Sequence, residues 1–95
     1  MLVVRNVFRC KPGQAKALVA KLKAAFAASG GESSYRILVD VSAGFWTVVL
    51  ENHVESLAAW EQEMKRHGES PEVQKAMAGY MDLVEGGHRE IFRVE

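Results

Sequence analysis

Three residues have the type and setting to act on a small molecule. Asn6 stands on a strand face otherwise made of Leu2, Val4 and Phe8. A buried amide needs partners, and one aimed at a ligand can hold a substrate oxygen or a developing enolate-like charge. Trp60 shares a helical stripe with Leu57 and Met64. A large aromatic there either fills core or walls a pocket for a flat ring. His88 lies two residues before Glu90 at the start of the last strand. If it faces the helices, the pair could pass a proton at a pocket mouth. Tyr35, Tyr80, Met64, Met77 and Met81 could line an adaptable apolar pocket, and ordinary core packing accounts for them equally well. Phe8 and Asn52 complete the candidate substrate-binding set.

Other chemistries lack their residues. The three histidines, His53, His67 and His88, form no i, i+4 ligand pair, and no acidic cluster has ligand spacing, so no metal site is expected. Cys10 is the only cysteine; it ends a strand without an evident base, and it excludes a disulfide framework. No glycine-rich phosphate loop is present, and Gly30-Gly31 and Gly86-Gly87 read as helix stops. No cofactor is therefore expected.

The elements that carry these residues follow from periodicity. The strand Leu2 to Cys10 alternates, with Val3, Arg5, Val7 and Arg9 on the second face. Pro12 opens a helix from Gln14 to Ala28, with Leu18, Val19, Leu22 and Phe26 at helical spacing. Ser29-Gly30-Gly31 ends it. Strands follow at Tyr35 to Val41 and Phe45 to His53, joined by the short turn Ser42-Ala43-Gly44. Trp46 in the second of them reads as core. A helix from Ser56 to His67 is broken at Gly68 from another that begins at Ser70-Pro71-Glu72 and runs to Val84. His88 to Val94 is the last strand.

The order is β-α-β-β-α-β with a split second helix. This is a ferredoxin-like α+β domain over residues 1–95, with a four-stranded antiparallel sheet and its helices on one face. The other sheet face is expected to carry Val3, Val7, Leu38, Phe45, Val49 and Ile91 among Arg5, Arg9, Arg36, Arg89, Arg93, Asp40, Glu51 and His53. Six large apolar side chains are too much to leave wet in a small monomer, so a homodimer through this face is expected.

The chain has 95 residues, with 12 basic and 12 acidic side chains in balance. No basic footprint points to nucleic acid or an anionic membrane. Its apolar runs are far short of a membrane span, and no apolar targeting segment opens the sequence, so a cytoplasmic protein is expected.

Four stretches together resemble the dimeric α/β-barrel superfamily, in its antibiotic-biosynthesis-monooxygenase-like and NIPSNAP-like branches. Phe8-Arg9-Cys10-Lys11-Pro12-Gly13-Gln14 is similar to the family's strand-to-helix opening. Phe45-Trp46-Thr47-Val48-Val49-Leu50-Glu51-Asn52 is similar to its hairpin strand. Val54 to Trp60 resembles its acidic step into an aromatic-bearing helix, and Ser70-Pro71-Glu72-Val73-Gln74 its short-helix start. The resemblance implies a dimer and a pocket between sheet and helices. It implies that Asn6 and Trp60 line that pocket and act on the substrate. It also implies cofactor-independent oxygenation of a flat aromatic or polyketide-like molecule, or else a non-enzymatic, NIPSNAP-like or stress-related dimer. The haem-degrading branch places its ligating histidine near Met77 or Ala78, where this chain has none, so haem is not expected.

Overall fold

Alternation of apolar and polar residues sets the sheet. The structure, a computed structural model, describes residues 1–30 and 35–95. Strand β1 is Leu2–Cys10, β2 Tyr35–Val39, β3 Thr47–Val54 and β4 Val84–Arg93. They form one antiparallel sheet in the order β2-β3-β1-β4. The helices are α1 (Ala15–Ala28), α2 (Leu57–Glu69) and α3 (Pro71–Met77), with a 3₁₀ turn at Tyr80–Leu83. This is the expected ferredoxin-like architecture. Gly31, named with Ser29 and Gly30 as a helix stop, lies outside the described residues.

The helix starts follow local chemistry. Ser56 and Ser70 cap α2 and α3, their hydroxyls accepting from the Ala59 and Val73 amides at 3.1 and 3.3 Å. Pro12 is not the first helical residue. It occupies a tight turn in which the Gln14 amide donates to the Lys11 carbonyl at 3.0 Å, and Gly13 takes φ 80°. Proline followed by a positive-φ glycine is the signature of a type II turn. The core forms where α1 meets the sheet: Leu18 and Leu22 pack with Cys10 and Val48.

Boundaries differ from the sequence expectation at the end of β2, the start of β3, the end of α3 and the start of β4. Strand β2 stops at Val39, and Phe45 and Trp46 precede β3 at φ 61° and 52°. The connection therefore spans residues 40–46, held where the Thr47 amide donates to Asp40 Oδ1 at 2.9 Å. Trp46, expected in the core, is 45% exposed. The helix that begins at Pro71 ends at Met77, and β4 starts at Val84. Gly86 and Gly87 thus lie inside a strand rather than stopping a helix. A Cβ on Gly87 would meet the Val7 carbonyl oxygen, so the close approach of β4 to β1 explains that glycine.

The largest correction is the phase of β4. Asn6 pairs with Arg89, Val4 with Ile91 and Leu2 with Arg93, so these β4 residues share the helix-side face. His88, Glu90 and Phe92 take the outer face, opposite Val7, Arg5 and Val3. A register irregularity where Arg9 meets Gly86 and Cys10 meets Val84 leaves Glu85 as an extra residue. With apolar side chains at both Ile91 and Phe92, alternation alone does not choose the face, and a one-residue slip exchanges every side chain.

Candidate functional site

The helix-side face is built in rows across the sheet. One row runs Tyr35, Asn52, Val4, Ile91, and the next runs Ile37, Leu50, Asn6, Arg89. Helix α2 crosses above them. Its Trp60 meets β4, where the Arg89 guanidinium lies 4.8 Å from the indole centroid. Its other end meets β2, where the Tyr35 ring lies 6.0 Å from the His67 ring and the Tyr35 hydroxyl donates to Glu63 Oε1 at 2.5 Å.

Asn6 and Trp60 are joined through Arg89, a residue the sequence reading placed on the wrong face. Arg89 Nε donates to Asn6 Oδ1 at 2.5 Å while its plane covers Trp60. The guanidinium has no acceptor, so this bond fixes the asparagine's oxygen toward Arg89 and leaves its amide NH₂ to be offered elsewhere.

Among the described residues, three side-chain atoms along the α2–sheet seam are closed to solvent and have no hydrogen-bond partner: Asn52 Nδ2, Trp60 Nε1 and His67 Nε2. Asn52 is only 1% exposed. Leaving such a group unbonded costs about 1–3 kcal/mol, so three beneath one helix require a reason.

Beside this seam lies an apolar cavity of about 220 Å³ between sheet, α1, α2 and α3. Phe8 and Leu50 form its floor, Leu22 and Phe26 its α1 wall, and Met64, His67 and Met77 its far side. Tyr35, stacked on Phe26 at 4.9 Å, and Tyr80 close the ends. Of the candidate substrate-binding residues, Phe8, Tyr35, Met64 and Met77 line the cavity. Asn6, Asn52 and Trp60 do not line it; Asn6 and Asn52 pair across the sheet with the lining residues Leu50 and Tyr35, and Trp60 lies one turn before Met64 on α2. Met81 does not line it and is 67% exposed.

His88 is not at this site. It lies on the outer face, opposite Val7, with Nε2 3.0 Å from Glu90 Oε2. The pairing with Glu90 exists, but the sheet separates it from Asn6. His67, expected at the very end of its helix, lies within it: α2 runs on to Glu69 and carries the imidazole into the cavity wall.

The outer face has its own charge centre. Glu51 is 2% exposed, accepting from Arg5 Nε at 2.7 Å and from Arg36 Nε at 3.0 Å. Its cover consists of two arginine side chains that are themselves 43% and 64% exposed. The hydrogen bonds from Arg5 and Arg36 hold its carboxyl below the usual range. Cys10 shows the reverse: burial, and then Asp40, push its thiol up. Among the described residues no cluster of three potential metal ligands occurs, and no helix is long and apolar enough to cross a membrane.

The fold is shared with two sets of solved structures. A candidate antibiotic biosynthesis monooxygenase from Chloroflexus aurantiacus matches at TM-score 0.73 and 20% identity, over 99% of this chain and 92% of that one. An uncharacterized NIPSNAP domain protein from Burkholderia xenovorans matches at TM-score 0.83 and 13% identity, over 100% and 95%. A NIPSNAP family protein from Agrobacterium tumefaciens matches at TM-score 0.83 and 13% identity, over 99% and 92%. No protein-family model and no curated protein matches the chain. The architecture is thus that of the antibiotic-biosynthesis-monooxygenase-like and NIPSNAP folds.

Proposed function

We propose that the chain binds a flat, apolar, oxygen-bearing molecule between sheet and helices and acts on it as a cofactor-independent monooxygenase. The carrying observation is that His67, in the wall of an apolar cavity of about 220 Å³, belongs to a seam with Asn52 and Trp60 whose buried polar atoms lack partners among the described residues. The cavity would take the ring system, and the seam its oxygens. The ring would lose a proton to become an electron-rich phenolate or enolate that itself reduces O₂. Asn6, its oxygen held by Arg89, would direct its NH₂ at the developing anion, and Trp60 would pack on the ring. The solved candidate monooxygenase of the same fold supports this reading.

The same reading includes a homodimer formed in the cytoplasm through the outer sheet face. Val3, Val7, Leu38 and Val49 lie on that face, opposite the side that the described helices cover, and Phe92 is 50% exposed. The chain exposes 6212 Å², against roughly 5,400 Å² for a monomer of this mass.

The test is oxygen uptake by the purified protein with a polyketide-like anthrone. Uptake lost in both Asn6→Ala and Trp60→Ala is the expected result. The second reading, a non-enzymatic NIPSNAP-like dimer on the fold shared with the NIPSNAP structures, predicts no uptake with any such compound.

A further inference from the structure

We infer that His67 is the hydrogen-bond partner and proton acceptor for a ring hydroxyl of the ligand, so that the site selects phenols over their hydroxyl-free analogues. The inference rests on the pocket reading above and names the base that reading lacks.

His67 alone supplies an imidazole to a cavity wall otherwise formed by side chains such as Leu22, Phe26, Leu50 and Met77. Its Nε2 is buried and unbonded. Either neutral tautomer leaves that nitrogen needing a partner, as donor or as acceptor. Among the described residues, the titratable groups that face it across the cavity are phenolic: Tyr35 from β2, at 6.0 Å between rings, and Tyr80 from the 3₁₀ turn. Glu63, one turn earlier on α2, is engaged by the Tyr35 hydroxyl. The side chains that α1 and α3 contribute, Phe26, Ser29, Val73 and Met77 among them, carry no charge. Among the described residues, no fixed anion lines the wall to compete for the proton His67 would accept.

The step balances without a further reactant. The ligand O–H bond breaks, a bond forms between that proton and Nε2, and the electron pair stays on the oxygen. Phenol and imidazole become phenolate and imidazolium, an ion pair in an apolar enclosure where the attraction is stronger than in water.

The probes are para-nitrophenol, whose phenolate is yellow, and para-nitroanisole, which has the same ring without the hydroxyl. At a pH where the free phenol is protonated, the native protein is expected to bind the phenol about tenfold tighter than the anisole, and the yellow band is expected to appear on binding. His67→Phe should keep anisole binding and lose both the preference and the band. His67→Gln should keep part of the preference and lose the band. An unchanged preference in His67→Phe, or binding to the native protein without the band, overturns the inference while the pocket stands. If neither probe binds, the pocket reading fails and this inference fails with it.

Discussion

Arg89 Nε donates to Asn6 Oδ1 across 2.5 Å, and the same guanidinium covers the indole of Trp60 at 4.8 Å. One β4 side chain thereby couples the two residues whose sequence positions first suggested a site. The pair is partly open to solvent, so its bond is worth less than a buried one. A double-mutant cycle of Asn6→Ala and Arg89→Ala, read by urea denaturation, should give a coupling of about 0.5–1 kcal/mol. Additive losses would mean that Arg89 does not hold the amide.

Trp60 is half-buried and lies outside the buried core cluster. Trp60→Ala should therefore cost less than the ~3–5 kcal/mol of a plain core aromatic, at about 1–2 kcal/mol. Chemical denaturation measures it, and a loss in the full core range would make Trp60 a packing residue.

Glu51 makes stability depend on pH in a defined direction. Its carboxyl is held below its unfolded value by hydrogen bonds from Arg5 and Arg36. The charged, paired form thus stabilises the fold above the unfolded carboxyl's range. That contribution is lost as pH falls through the lower folded value. Denaturation across the acid range should show a steeper loss for the native protein than for Glu51→Gln. Parallel curves would show that the pair contributes nothing.

The outer face can be tested at Val49, whose neighbours in the row are Val7 and Leu38. Val49→Glu places a charge among them and should convert a dimer to a monomer in light scattering. A native protein already monomeric at high concentration would contradict the proposed interface.

Strand β4 shows how much of the fold was legible. Its existence follows from the sequence, and so do the ferredoxin-like order, the two serine caps and the apolar stripe of α1. Its phase does not follow, because Ile91 and Phe92 offer apolar side chains to both faces and Glu85 adds a residue. That single slip hid Arg89 from the site and drew His88 into it. Gly87 is likewise legible only in three dimensions, since its reason is the Val7 carbonyl across the strand pair. Gly87→Ala should cost about 1–3 kcal/mol, whereas Gly86→Ala meets only the movable Arg9 guanidinium and should cost less.

At the candidate site, Phe8, Tyr35, Met64 and Met77 were readable because a stripe facing the core also faces any cavity in it. His67 was not, since its value depends on an unbonded nitrogen and on where α2 crosses the sheet.

The most direct test of the pocket is calorimetric titration of the native protein and of Ala25→Phe with a flat hydroxylated anthrone. Ala25 is buried in the cavity wall, so the substitution fills the space with a ring. Saturable one-to-one binding to the native protein, lost in a folded Ala25→Phe, is the predicted result. No heat of binding to the native protein, or equal binding by both, would contradict a ligand site between sheet and helices.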